Sequence, residues 1–122
     1  MTRLRITRIY SVVLTVVGIA GFIPQLFSSG LLCGVFAADA THNIAYILTG
    51  VFGALAVRSR GIRPRQYLKC VGILYFAAAL AGIVNGASIF GLTVTNGPDN
   101  LVHLLIAAFA LWAGFGVREF RA

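Results

Sequence analysis

Four long apolar stretches constrain what this 122-residue chain can fold into. They cover residues 9–27, 40–57, 67–84 and 101–117. A helix needs about 20 predominantly apolar residues to cross a bilayer, and each stretch reaches or approaches that length. Only 11% of the residues are charged and the mean hydropathy is +0.92, which leaves too few polar side chains to coat a soluble domain. The sequence therefore predicts an all-α integral membrane protein with a single transmembrane domain over residues 1–122.

The Lys and Arg residues predict how the chain crosses the membrane. Three lie before the first stretch, and two lie after the fourth. The other five lie between the end of the second stretch and the first residues of the third. The other two connections, residues 28–39 and 85–100, contain neither residue type. Because cytoplasmic loops carry the excess of Lys and Arg, we expect both termini in the cytoplasm and the chain in the inner (plasma) membrane. The basic residues are Arg3, Arg5, Arg8, Arg58, Arg60, Arg63, Arg65, Lys69, Arg118 and Arg121.

The formal net charge of +7 also raises the question of nucleic-acid binding. The cations flank apolar spans, however, and are not interleaved with aromatic residues on a polar fold, so we expect the lipid bilayer and not nucleic acid as the partner. Tyr10 and Tyr67 lie close to the cations and are expected at the membrane interface, where tyrosine is enriched. Cys33 and Cys70 fall near opposite membrane faces, so a disulfide between them is not expected.

The sequence contains an internal repeat of 57 positions, which lays "LLCGVFAADATHN" over "SIFGLTVTNGPDN". Each half is predicted to be a span, a connecting loop and a second span, over about 9–57 in repeat 1 and about 67–117 in repeat 2. A repeat of two spans returns to its starting side, so the halves should be parallel and related by a pseudo-twofold axis along the membrane normal. This arrangement predicts a four-helix bundle. The overlay pairs Gly34 with Gly91, Asp39 with Asn96 and Asn43 with Asn100.

Small residues recur at helical spacing within the apolar stretches. In lipid, close contact between helices needs small side chains that let the backbones approach, so these positions predict packing within the bundle. The rows are Gly18 and Gly21, Gly50 and Ala54, Ala78, Gly82 and Gly86, and Ala110 and Gly114.

Polar residues cluster where the second and fourth stretches begin. Free backbone N–H groups at a helix start favour Asp and Asn, so Asp39 and Asn96 are expected as helix caps. Further in, residues four apart share one helix face, and a polar face turned towards lipid is costly, so these faces should point into the bundle. The repeat then predicts an interhelical polar cluster of His42, Asn43, Tyr46, Asp99, Asn100 and His103.

This cluster is compatible with several kinds of chemistry. A carboxylate near an imidazole orients the ring and suits a proton relay or a hydrogen-bonded clasp between the second and fourth helices. His42, Asp99 and His103 are side chains of types that ligate a divalent metal, although they form no compact metal motif. His42 and His103 on facing helices would be the minimum for bis-histidine haem ligation.

The chain resembles a family of small four-span bacterial membrane proteins, common in actinobacteria and known as a domain of unknown function. The resemblance is carried by "GFIP", by "LLCGVF" leading into "HNIAYILTG", and by "TVTNGPDNLVHLL", and it covers nearly the whole chain. It implies that the position of Tyr46 is often a second histidine, so this chain departs from the family there and a metal site is less favoured. The most specific residues are His42, Asn43, Asn96, Asp99, Asn100 and His103.

These observations favour a small non-catalytic membrane protein without a cofactor. We expect an accessory or structural subunit of a larger membrane complex, or a homo-oligomer. The chain has only short loops and helix faces with which it could contact another protein. The alternative is a haem- or metal-binding protein that handles electrons or protons with His42, Asp99 and His103. A transporter or channel is less favoured, since the inner halves of the stretches contain few polar residues beyond Thr15 and Thr49.

Overall fold

Four α-helices make up most of the computed structural model, which describes residues 2–58, 63–86, 88–89 and 91–116. Three of them, counting α4 together with its π-helical extension, are long and apolar enough to cross a membrane, which confirms the predicted helical membrane architecture at this level. The predicted end of the fourth span at Val117 and the cations Arg60, Arg118 and Arg121 lie outside the described residues. The helices are α1 (Arg3–Ala20), α2 (Ala40–Arg58), α3 (Pro64–Asn85) and α4 (Gly97–Leu111), and α4 continues as a π-helical turn over Trp112–Gly116.

Helix α1 differs from the predicted first span at both ends. It begins at Arg3, where the Oγ1 atom of the N-cap Thr2 accepts a hydrogen bond from the backbone N–H of Arg5 at 3.2 Å. It ends at Ala20 and not at residue 27. Pro24 has no N–H to continue a helix, and it opens a separate 3₁₀ turn over Pro24–Leu26 instead. The predicted end of the first span was therefore wrong.

Each pair of helices is joined by a short β-hairpin that the sequence did not predict. In the first hairpin, β1 (Phe27–Ser28) pairs antiparallel with β2 (Leu31–Leu32). In the second, β3 (Ser88–Ile89) pairs antiparallel with β4 (Thr93–Val94). Gly91 in the second hairpin has a φ of 69°, a left-handed conformation that glycine adopts without steric cost.

Helix α1 packs against α2, and α3 packs against α4, with glycines at the closest approaches. A Cβ atom added to Gly18 would lie 2.7 Å from the backbone oxygen of Asn43, and one added to Gly72 would lie 2.6 Å from Cγ of Leu111. These distances are too short for a side chain, so the glycines allow the backbones to approach. Gly86, from the predicted rows, has no neighbour within 4 Å of such a Cβ and instead ends α3 with a φ of 81°.

Two buried tyrosines connect the helix pairs. The Tyr10 hydroxyl of α1 donates to the Ile106 carbonyl of α4 at 2.6 Å, and the Tyr67 hydroxyl of α3 donates to the Thr49 carbonyl of α2 at 2.7 Å. Both tyrosines are buried between helices. These contacts bring the starts of α1 and α3 to the same end as the ends of α2 and α4. We call this the basic end, because Arg3 and Arg58 lie there, and the opposite end, with both hairpins, the hairpin end.

Candidate functional site at the hairpin end

Asp39 joins the start of α2 to the second hairpin. Its Oδ1 atom accepts hydrogen bonds from the backbone N–H of His42 at 2.8 Å and from the Thr93 hydroxyl at 2.6 Å. Its Oδ2 atom accepts from the backbone N–H of Val94 at 3.1 Å. Asp39 thus lies at the helix start where the sequence places a cap. Its contacts with Thr93 and Val94 are additional, and no sequence pattern indicated them.

These contacts stabilise the charged form of the Asp39 carboxyl. Partial burial opposes ionisation and by itself raises the pKa, but the hydrogen bonds from Thr93, His42 and Val94 together outweigh it. The pKa of Asp39 therefore lies below its ordinary value. The carboxylate acts as a charged joint between the two halves of the chain.

Asn96 has a matching double role at the start of α4. Its Oδ1 atom accepts from the backbone N–H of Asp99 at 3.0 Å, and the Asp99 carboxylate accepts in return from the backbone N–H of Asn96 at 3.3 Å. This reciprocal pair is a capping box. The Asn96 side-chain amide also donates to the Val35 carbonyl in the first connection at 2.9 Å. Asn96 therefore links α4 to the other half of the chain.

The two helix asparagines of the predicted cluster lie within their own helix pairs. The Asn43 side chain of α2 packs against Gly21, and the Asn100 side chain of α4 packs against Gly82 of α3; a Cβ atom at either glycine would overlap the amide. The Asn100 Oδ1 atom also accepts from the Thr95 hydroxyl at 2.9 Å. Asn43 and Asn100 are buried, but they stabilise each pair separately.

The centre of the site is a group of four rings in mutual contact, His42, Tyr46, Tyr75 and His103. The His42 and His103 ring centroids are 5.2 Å apart, those of His42 and Tyr46 4.9 Å, and those of Tyr46 and His103 5.9 Å. Tyr75 of α3 packs its ring edge-to-face with His103 at 5.7 Å. The sequence did not identify Tyr75, which lies on a helix without other polar cluster residues. We call these four residues the ring cluster.

The two imidazoles of the ring cluster differ in their hydrogen bonds. The His42 Nδ1 atom lies 3.2 Å from the Val94 carbonyl oxygen. Because a carbonyl oxygen only accepts, this contact requires the proton on Nδ1. The His103 Nδ1 atom is buried and makes no hydrogen bond to the described part of the chain.

The possible metal and haem ligands are arranged as follows. Across the described ranges, no three His, Cys, Asp or Glu side chains group closely enough to hold a metal ion. The Asp99 carboxylate is engaged with the backbone of Asn96 and Ala37. Bis-histidine ligation requires a porphyrin between the imidazoles. In this structure the rings of His42 and His103 are in direct contact, tilted by 32°.

Two cavities flank the ring cluster. The larger, of about 360 Å³, lies between α2 and α3 beneath the second hairpin. The smaller, of about 130 Å³, lies beneath the first hairpin, between α1, α2 and α4. His42 and Tyr46 line both cavities, so the ring cluster forms the wall between them.

Comparison with known proteins identifies the family but no characterised relative. Neither the curated proteins nor the solved structures gave a match to the chain. The profile of a family described as a domain of unknown function (DUF4383) matches residues 5–116, a range that includes both hairpins, the ring cluster and all four helices except the first two residues of α1. The predicted resemblance to a family of unknown function is confirmed, and the chain belongs to the DUF4383 family.

Proposed function

We propose that this protein is a four-span, non-catalytic protein of the bacterial plasma membrane that works by association with other membrane proteins or with itself. In this arrangement α1 also crosses the membrane, in addition to α2, α3 and α4. With 18 residues it is about 27 Å long, close to the hydrocarbon thickness of about 30 Å. Both termini would then lie in the cytoplasm, because the sequence has no Lys or Arg in the two connections that form the hairpin end.

The contacts support two parallel repeats. Tyr10 and Tyr67 are 57 positions apart, as are the residues whose carbonyls they bond, Thr49 and Ile106. The helix caps repeat in the same way, since Asp39 and Asn96 each accept from the backbone N–H three residues ahead. Equivalent residues with equivalent partners are what a pseudo-twofold axis would produce.

One observation carries the proposal of association. The polar side chains at the hairpin end bond mainly to each other and to the backbone, whereas the surface along the helices is apolar. Leu74 is 67% exposed and Val84 is 80% exposed, and large apolar side chains are exposed on all four helices. Such a surface is suited to lipid and to the helices of another membrane protein. The protein would then be an accessory or structural subunit, or a homo-oligomer.

Extraction from the native membrane in mild detergents, followed by mass spectrometry, tests this function. We expect the chain to be recovered with a second membrane protein or as a defined homo-oligomer. A photo-cross-linking residue at Val84 should capture the same neighbour before extraction, whereas one at buried Leu68 serves as the control. Recovery of a monomer in several detergents, with no cross-linked product at Val84, would contradict the proposal.

A further inference from the structure

The larger cavity is a feature that association does not require. Its volume of about 360 Å³ lies within the range of roughly 300–1,000 Å³ of small-molecule pockets. Its walls are mostly apolar and include Ala45, Ala78 and Leu92. Among the described residues that line it, none is Lys, Arg, Asp or Glu. A charged head group would lose its hydration there without gaining a counter-charge, so the lining selects a neutral molecule.

One polar group at the wall of this cavity is both unpaired and open to a ligand. The His103 Nδ1 atom makes no hydrogen bond to the described part of the chain, but it is enclosed by protein and has almost no surface open to the cavity. Tyr46 is 6% exposed, its hydroxyl is not enclosed in this way, and no hydrogen bond engages it within the described part of the chain. Buried polar groups are almost always hydrogen-bonded, because an unpaired one costs free energy. A ligand that offers a hydrogen-bonding atom would remove this cost.

Two threonines of the lining are already engaged. The Thr49 hydroxyl donates to the Ala45 carbonyl and accepts from the Tyr75 hydroxyl. The Thr93 hydroxyl donates to Asp39. Thr41 also lines the cavity and is exposed, whereas the Tyr46 hydroxyl belongs to the ring cluster, at the wall that separates the two cavities.

We infer that the larger cavity binds the head group of an isoprenoid quinone drawn from the bilayer. A quinone ring is planar, neutral and conjugated, so it can stack on the aromatic rings of the cluster. One of its carbonyl oxygens can accept a hydrogen bond from the Tyr46 hydroxyl. The prenyl tail would leave between α2 and α3, where Ala45 and Leu74 are exposed. An acyl chain of a phospholipid would fill the apolar part but would leave the Tyr46 hydroxyl unpaired.

Photo-labelling of the full chain in quinone-free lipid nanodiscs tests this site. The probe is an azido-naphthoquinone, and the competitors are menadione and oleate. We expect the label on α2 and α3 residues of the cavity, displaced by menadione and not by oleate. Displacement by oleate as effective as that by menadione would identify an acyl-chain site and overturn the proposal, as would labelling spread evenly over the lipid-facing surface.

Two alanines on α2 provide a matched pair of variants. Ala45 is exposed and lines the cavity, whereas Ala54 is exposed and does not. Ala45→Phe should weaken probe binding by at least about tenfold, since it fills the space, and Ala54→Phe should leave binding unchanged. Equal effects of the two variants would overturn the proposal.

A third variant addresses the hydrogen bond itself. Tyr46→Phe keeps the ring and the packing, and should weaken binding about fivefold through the loss of one hydrogen bond. An unchanged affinity in Tyr46→Phe would show that the hydroxyl does not contact the ligand. The binding is measured on one chain, so it is independent of whether the protein associates with a partner.

Discussion

At the basic end, the hydroxyls of Tyr10 and Tyr67 donate to helix carbonyls, and Ala110 and Ala113 are completely buried between closely packed helices. At the hairpin end, the helices separate around a ring cluster and two cavities, and the connection between the halves is made by side chains such as Asp39. At the basic end closely packed small residues accompany the hydrogen bonds, whereas at the hairpin end hydrogen bonds from loop side chains join the two halves around open space. Of the two buried polar atoms without a partner in the described residues, Nδ1 of His103 lies at the hairpin end and Oγ1 of Thr7 lies near the basic end. The two cavities lie at the hairpin end, so the proposed ligand site is there.

The largest expected difference between the two ends is their accessibility from outside the cell. Cys33 is exposed in the first hairpin, so a Cys70→Ser variant should react with a membrane-impermeant maleimide on intact cells. In a background with both native cysteines replaced by serine, an Arg65→Cys variant at the basic end should react only after lysis. Labelling is measured as a mass shift on a gel. Equal labelling of the two variants on intact cells would rule out the proposed topology.

Removal of the Asp39 joint should have the next largest effect. Asp39→Ala deletes three hydrogen bonds to a charged group and should lower the free energy of unfolding in detergent micelles by about 2 kcal/mol. Hydrogen exchange should increase in the second hairpin and remain slow near Tyr10. Thr93→Val deletes one of these bonds and should cost less, with Thr93→Ser as its control. Uniformly faster exchange at both ends would show that the two regions are not separable.

The pH dependence of stability should also originate at the hairpin end. The pKa of Asp39 is lower in the folded protein than its ordinary value of about 3.9, so the folded state favours the charged form. Its contribution to stability is fully present above that ordinary value and is lost as the pH falls through the lower folded pKa. Unfolding measured between pH 7 and pH 3 should show Asp39→Asn and the wild type converging in acid. A constant difference would contradict the role of the charge.

The smallest effects are expected at the basic end. Tyr10→Phe and Tyr67→Phe each remove one hydroxyl donor from a carbonyl that keeps its place in a helix. Each should lower the free energy of unfolding by about 0.5–1 kcal/mol, and by similar amounts if the halves are true repeats. Equilibrium unfolding in mixed micelles provides the measurement. The control is Phe109→Leu, a substitution at an exposed position that removes no hydroxyl. A large inequality between the two variants would argue against equivalent repeats.

Sequence patterns identify the helices better than the connections between them. Helices α2, α3 and α4 are predictable because apolar length alone separates a span from a loop. The end of α1 was not predicted, because the apolar residues continue past Ala20 into a turn and a strand. The hairpins are also invisible in the sequence, since strands of two residues are too short to show an alternating pattern.

The residues of the candidate site, like the elements of the fold, could be predicted only in part. The spacing of four along α2 and α4 indicates which side chains share a face, and this is why His42, Tyr46 and His103 could be named from the sequence. Tyr75 and Thr93 could not be named, because their roles depend on how one half of the chain sits against the other. Such register between distant segments has no signal in a single sequence.

The contacts between the first and last helices impose an order on biogenesis. Arg3 donates to the carbonyl of Ala113 and Tyr10 to that of Ile106, so residues of α1 bond to acceptors in a helix that is synthesised much later. Until α4 has entered the membrane, the Tyr10 hydroxyl lacks this acceptor. A translocon or an assembly factor that shelters the intermediate would therefore have most influence on yield before α4 is inserted.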